Sequence, residues 1–448
     1  MAEISDLARR DLAHIWHPCS QMKDYETLPP IVIKRAKGVW LYDEFDNSYI
    51  DIISSWWCNL LGHSNERINR AISEQLEQLE HVIFANFTHE GAIRLSERLS
   101  EILPAGLSKF NFCDNGSSAV ESALKMAFQY QYQSGKGEKT RFMCLDGGYH
   151  GETIGALSVG AMDLYAKIYK PMLMQTIRID APDCYRCPYG KSRDGCECEC
   201  FEAVQKAFEK HGKTTAAIII EPLVQGAAGM KIYPALYLQK LRQICDDYDV
   251  LLIADEIATG FGRTGEMFAF DHAGVSPDIM ALSKGISGGY MPFSITATTQ
   301  KIYDAFYDDY ERGRAFMHSH TYSGNPLGCA AANAVLDAFE QENILKNANQ
   351  TALLLREILA GALKEHKNVG EIRSLGLINA IELVENRVHK SELKGRVGYE
   401  IYKVALKNGL VLRPLGNVLY FNPPLNISQS ECELAVQRCA KSIRAVLG

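Results

Sequence analysis

Through the middle of the chain, short apolar runs rich in β-branched residues alternate with longer stretches whose apolar residues recur at helical spacing. That alternation predicts a parallel sheet covered by helices. Three runs are almost continuously apolar: Thr215 to Ile220 (TAAIII), Val250 to Ala254 (VLLIA) and Asp278 to Ser283 (DIMALS). Without a polar alternate, each reads as a strand buried on both faces. Each also delivers a charged residue at its C-terminal end: Glu221, Asp255 and Lys284. Ligands of open α/β sheets bind in the crevice outside those ends, so three such residues meeting in one crevice would make a site. Strand ends are commonly polar where they meet solvent, and none of the three decides the matter alone.

The flanking pattern fills in the fold. Phe110 to Cys113 reads as a strand, Asp114-Asn115-Gly116-Ser117 as a tight turn, and Ser118 onward as a helix. Ser118 and Glu121 have capping-box spacing, and Ala119, Val120, Ala123, Leu124, Ala127 and Phe128 give that helix a buried face. From Gly328 to Leu363 the spacing of Ala330, Ala331, Ala334, Val335, Ala338 and Phe339 is again helical. Shorter strand candidates follow at Ser374 to Leu383 and Leu410 to Arg413, then a closing helix from about Ser428. Near the N-terminus, Gly38 to Tyr42 and Ser48 to Ile53 are strand-like. The expected architecture is α/β: a large domain over 63–328 with a mostly parallel sheet and helices on both faces, and a smaller α+β domain over 329–448. The segment 1–62 is expected to pack with the small domain. No internal repeat or low-complexity linker is evident.

Composition narrows the function. A formal net charge of -7 provides no positive field for nucleic acid or an acidic membrane. The first residues lack the basic, apolar and small-residue succession of a secretory signal. No apolar run approaches the roughly 20 residues that span a bilayer. A cytoplasmic protein is expected, with its 13 cysteines reduced. Five of them form a C-x-x-C then C-x-C-x-C cluster: Cys184, Cys187, Cys196, Cys198 and Cys200. Such density can gather thiolates on zinc or an iron–sulfur cluster, but five cysteines fit no four-ligand site uniquely. Reduced thiols in a stiffened loop, with no metal, are the expectation.

The chemistry lies elsewhere. A strand, a glycine turn and a helix start around Gly116 and Ser117 would present free N–H groups and a helix dipole to an anion. In Gly147-Gly148-Tyr149-His150-Gly151, glycines permit close backbone approach and Tyr149 can stack on a flat ligand. Asp255 to Gly265 (DEIATGFGRTG) is followed by Ser283-Lys284-Gly285. A carboxylate buried at a strand end can keep a pyridine nitrogen protonated, and a lysine on the next strand can bond the same cofactor and shuttle a proton. A nucleotide-hydrolysing alternative fails. Val250 to Glu256 resembles a Walker B strand, but Gly212-Lys213-Thr214 has Ala207 in place of the first P-loop glycine and precedes a strand.

Together with Tyr322-Ser323-Gly324-Asn325-Pro326, these segments resemble the class III aminotransferases of pyridoxal-phosphate fold type I over essentially the whole chain. The resemblance implies that Lys284 carries pyridoxal 5'-phosphate, Asp255 pairs with its ring nitrogen and Tyr149 stacks on the ring. It implies that Gly116 and Ser117 bind the phosphate and that Glu221 and Gln225 lie near the cofactor. Thr321 would complete the phosphate site of the other subunit in a homodimer. His17-Pro18 with Met22, Ser54-Ser55-Trp56-Trp57, Thr88-His89 closing Phe84 to His89, and Arg413-Pro414-Leu415-Gly416 before Pro423-Pro424 resemble one branch of that family. That branch aminates 8-amino-7-oxononanoate to 7,8-diaminononanoate in biotin biosynthesis. By this resemblance Trp56, Trp57 and Gly285 contact the substrate and Arg413 takes its carboxylate, a guanidinium at the end of an aromatic tunnel. If Trp56 and Trp57 sat in a strand, only one would face the site. Trp56 points to S-adenosylmethionine as amino donor and Cys19 points to lysine, with the balance toward adenosylmethionine. An ω-amino acid:pyruvate aminotransferase would share every cofactor residue.

Overall fold

The structure is a computed structural model that describes residues 4–448. Its central sheet has seven strands in the order Leu107–Cys113, Ser294–Thr299, Ile279–Leu282, Leu251–Asp255, Thr215–Ile220, Arg141–Leu145 and Ile177–Ile179. Only Ser294–Thr299 runs against the others. The three apolar runs are therefore neighbours, with Leu251–Asp255 between the other two and Asp255 in register with Ala281. Every residue of these three strands is buried. Alternate residues enter two separate cores: Ile218, Leu252 and Met280 on one face, Ile219, Ile253 and Ile279 on the other. Helices cover both faces, which is why these strands show no polar alternation.

Three local expectations need correction. The helix after the glycine turn starts at Gly116, two residues early, because the Asn115 side chain caps it by accepting from Ser118 N at 3.1 Å. Ser118 is thus buried inside the first turn, and Glu121 turns away to accept from Thr153 Oγ1 (2.6 Å), Gly155 N (2.7 Å) and Ala156 N (3.1 Å). The helical stretch after Gly328 is two helices, Pro326–Gln341 and Ile344–Leu363, separated at Asn343, whose φ of 51° breaks the helical path. The Ser374 to Leu383 run is a hairpin: Val369–Leu375 and Ile378–Asn386 pair about the turn at Gly376, where φ is 55° and a side chain would strike the Thr264 backbone.

The N-terminal strands Ile33–Lys37, Trp40–Asp43 and Ser48–Asp51 form an antiparallel sheet whose last strand pairs in parallel with Leu410–Val411. The two ends of the chain share this sheet. The closing helix Gln429–Leu447 is held to it as well: Glu431 completes a capping box with Ser428 and accepts from Trp40 Nε1 at 3.0 Å. Among the described residues no helix is long and apolar enough to cross a membrane.

Ser428→Ala removes one cap and should lower the free energy of unfolding by about 1 kcal/mol. Glu431→Ala should cost more, because it also frees Trp40. Urea unfolding followed by circular dichroism compares the two, and equal losses would mean that the Trp40 bond contributes nothing.

Candidate active site

Outside the carboxyl ends of the three central strands lies a cavity of about 1690 Å³ whose walls include Glu221, Asp255 and Lys284. Lys284 follows its strand after Ser283, in left-handed backbone (φ 47°), and lines the crevice. Its Nζ lies 4.5 Å from the centre of the Trp57 ring and makes no hydrogen bond to a described residue. Burial holds this ammonium below its ordinary value, against the pull of Asp255 and then Glu221 toward the charged form. Asp255 is fixed on both oxygens. Oδ1 accepts from Ile257 N at 3.1 Å, and Oδ2 lies 2.7 Å from Nδ1 of the buried His150. Glu221 accepts from Tyr149 N (3.0 Å) and Gly226 N (2.8 Å). Burial pushes its carboxyl up to about 7, with nearby His150 opposing and Asp255 adding to the rise.

Gly116 and Ser117 open a helix whose Asn115 cap accepts from Ser118 N and Oγ, so the two preceding N–H groups lack helical acceptors, and both residues line the cavity. A side chain at Gly116 would meet Ile257 at 3.0 Å, and one at Gly151 (φ 119°) would overlap Ser117 Oγ. The cradle therefore admits a ligand to bare backbone and one hydroxyl. Tyr149 lines the same wall, its hydroxyl donating to Glu152 Oε1 at 3.1 Å and its ring tilted on Tyr165 at 5.3 Å. An anion cradle, a fixed carboxylate, an aromatic ring and a buried amine in one cavity are the donor set that pyridoxal phosphate requires.

The expectation of a strand through Trp56 and Trp57 is overturned. Ser54, Ser55, Trp56 and Trp57 have φ values of 48°, 45°, 77° and 71°, one left-handed turn closed by Trp57 N to Ile53 O (2.8 Å) and Cys58 N to Ser54 O (3.0 Å). Left-handed backbone costs roughly 1–2 kcal/mol per residue, and its effect here is to bring both rings to the cavity. Trp57 is buried, with Nε1 donating to Tyr420 Oη at 3.0 Å. Trp56 is 39% exposed and lies under Arg413, whose Cζ is 4.3 Å from the ring centre. Arg413 also donates to the Cys19 carbonyl at 3.0 Å, while Cys19 Sγ donates to Glu152 at 3.4 Å.

Three other expected site residues do not line the cavity of their own chain. Gln225 is buried behind the cavity, donating to Asp146 O at 3.0 Å. Gly285 packs where a side chain would meet Phe261 at 3.3 Å, and neither it nor the exposed Thr321 is among the cavity-lining residues. His150, Glu152 and Ile257 were assigned no role from sequence. The signal for His150 was its place beside Tyr149 in a glycine-flanked turn; nothing in the sequence pairs it with Asp255, 105 residues away. Cys184, Cys187, Cys196, Cys198 and Cys200 are free thiols, Cys198 buried in the core. Among the described residues no group of three or more His, Cys, Asp or Glu side chains is arranged to hold a metal ion.

Residues 21–443 match the family model for aminotransferase class-III. The chain belongs to the class III aminotransferases. It is 45% identical to a Geobacter sulfurreducens protein named adenosylmethionine-8-amino-7-oxononanoate aminotransferase, over 98% of this chain and 97% of that one. The crystal structure of a like-named enzyme from Methanocaldococcus jannaschii superposes with a TM-score of 0.93 at 36% identity, covering 99% of both chains. An omega transaminase from Pseudomonas jessenii, in complex with PMP, superposes with a TM-score of 0.94 at 32% identity over 99% of this chain and 98% of that one. These class III enzymes depend on pyridoxal phosphate, and the donor set above is arranged accordingly.

Another buried carboxyl, beside Asp255, belongs to Glu256 in this aminotransferase. Glu256 accepts from Thr259 Oγ1 and from Phe270 N (2.9 Å), and burial pushes it too up to about 7. From an ordinary 4.5 to about 7, the folded chain holds a proton that the unfolded chain has released, so stability falls as pH rises through that window. The cost at full ionisation is about 3 kcal/mol. Glu256→Gln should flatten the loss, read as the urea midpoint of cofactor-free protein at about pH 5 and about pH 8. An unchanged slope would show that Glu256 is ionised throughout.

Proposed function

We propose that this aminotransferase converts 8-amino-7-oxononanoate to 7,8-diaminononanoate in biotin biosynthesis, using pyridoxal 5'-phosphate and, as lead donor, S-adenosylmethionine. The observation that carries the reading is a single cavity joining Lys284 to Arg413 past two tryptophans. Its aromatic wall suits an aliphatic chain and its guanidinium suits a terminal carboxylate. The names of the Geobacter sulfurreducens and Methanocaldococcus jannaschii relatives support the same substrate.

Bound pyridoxal phosphate supplies an electron-withdrawing ring that acidifies the carbon bearing the transferred amine. Asp255, oriented by His150, holds the proton on the ring nitrogen. The Gly116 and Ser117 N–H groups bind the phosphate, and Tyr149 covers one ring face. Lys284 Nζ would hold the cofactor and, once free, would take the donor's carbon-bound proton. Burial of Lys284 favours the neutral amine that this step needs. In the second half of the cycle Lys284 delivers a proton to the acceptor carbon. Arg413 holds the acceptor's carboxylate while Trp56 and Trp57 exclude water from its chain.

The functional unit is a cytoplasmic homodimer in which the partner subunit's Thr321 completes each phosphate site. Thr321 lies outside the cavity of its own chain. Around it and elsewhere on the surface, large apolar side chains are exposed, including Tyr322 (61%), Met317 (86%), Ile83 (60%) and Phe87 (61%), more than a lone subunit favours. Cys19, which lines the cavity with its thiol bonded to Glu152, keeps lysine as the alternative donor.

Adenosylmethionine should change the absorbance of the cofactor-loaded protein, and 8-amino-7-oxononanoate should reverse the change. Reversal after lysine alone would reassign the donor, and a response only to alanine or a simple ω-amine would overturn the biotin reading. Lys284→Ala should abolish the yellow absorbance and turnover together; retained turnover would remove Lys284 from the chemistry. Arg413→Ala should raise the KM for the oxononanoate roughly 10–100-fold by losing a charge-assisted pair, with a much smaller change for the donor. Equal effects on both substrates would leave Arg413 without a specific role.

A further inference from the structure

The left-handed turn that carries Trp56 and Trp57 is anchored at each end and once in the middle. At its start Ser54 Oγ donates to Asn422 O at 2.8 Å, and at its finish Arg263 Nη2 donates to Trp57 O at 3.3 Å. In the middle, Ser55 Oγ donates to Asp51 Oδ2 at 2.7 Å. The same oxygen lies 2.9 Å from His63 Nε2, and Asp51 Oδ1 is buried with no hydrogen-bond partner among the described residues. A carboxylate with only 1% of its side-chain surface exposed and one oxygen unmatched carries a desolvation cost, which sheet stability does not require. The place of Asp51 in the fold is already set by its backbone, with N donating to Val39 O at 2.8 Å and the residue paired with Val411. Its side chain is therefore free for another task, two residues in register from the strand that delivers Arg413.

We propose that Asp51, steadied by His63, and Ser55 form a positioning pair that holds the Trp56–Trp57 turn in its left-handed state and so sets recognition of the long-chain acceptor. Asp51 links the two halves of that recognition. Its backbone fixes the strand leading to Arg413, and its carboxylate fixes the turn whose Trp56 ring supports the Arg413 guanidinium. Neither Asp51 nor Ser55 lines the cavity, so the pair acts on binding of the long substrate through the turn rather than on proton transfer. The identity of that substrate rests on the function proposed above; the claim about the turn does not.

The test compares Ser55→Ala with Ser55→Gly. Both lack the hydroxyl, but at φ 45° alanine keeps the strain of a Cβ whereas glycine adopts this backbone freely. In cofactor-loaded Ser55→Ala the KM for 8-amino-7-oxononanoate should rise about tenfold, the loss of one hydrogen bond to a charged acceptor. Its donor half-reaction should stay within about twofold of wild type, since no donor contact is removed. Its near-ultraviolet tryptophan circular dichroism should change. Ser55→Gly should regain most of the KM and of the tryptophan signal. Wild-type KM and spectrum in Ser55→Ala would overturn the proposal, as would a Ser55→Gly variant as impaired as Ser55→Ala. If the wild-type protein neither binds nor turns over 8-amino-7-oxononanoate, the functional reading falls instead. The same pair of variants, compared on a long and a short ω-amine with the spectrum as second readout, then decides the turn independently.

Discussion

Taking a lysine and two carboxyls out of water at the ends of three neighbouring parallel strands is the constraint on which the rest of this structure depends. Glu221, Asp255 and Lys284 stand in one crevice because the strands that carry them are adjacent and in register. Isolated, each charge would be expelled or neutralised. Here each is accommodated differently: Asp255 by two fixed partners, Glu221 by two backbone N–H groups and a carboxyl that retains its proton toward neutrality, Lys284 by an amine pushed toward its neutral form. The proposed chemistry uses a fixed Asp255 and a neutral Lys284, and burial at the strand ends favours the neutral amine.

The second constraint is geometric. The sheet supplies the groups proposed to react, while those proposed to select the substrate come from the chain ends: Cys19, Trp56 and Trp57 from the N-terminal segment, Arg413 and Tyr420 from the C-terminal one. The shared sheet of Ser48–Asp51 with Leu410–Val411 makes those two ends one wall. A cofactor platform and a substrate wall on separate sheets allow substrate choice to differ among enzymes with the same platform, as among the class III relatives named above.

The platform was legible in the sequence and the wall less so. Strands buried on both faces leave an unbroken apolar signal, and charged residues directly after them mark the crevice; Thr215–Ile220 agrees to the residue. Helix starts were less legible, because Asn115, Ser117 and Ser118 all offer capping side chains and only the tertiary demand on Glu121 decides among them. The Ser54–Trp57 turn was not legible at all. Two serines and two tryptophans have no preference for left-handed backbone, so the conformation comes from Asn422, Arg263 and Asp51, none of them local except the last. His150 was hidden for the same reason, since its partner lies on another strand.

The bond from Ser54 to Asn422 spans 368 residues, and Arg263 reaches Asn422 and Pro423 across 159 and 160. During synthesis the chain therefore lacks the acceptor for Ser54, and the carbonyls that hold Arg263 Nη1, until nearly all of it has left the ribosome. Contacts of such separation close slowly and late. The sheet and its lysine can assemble on the growing chain, but the tryptophan wall cannot. The strands that carry Glu221, Asp255 and Lys284 are thus complete in the growing chain while Ser54 still lacks its acceptor.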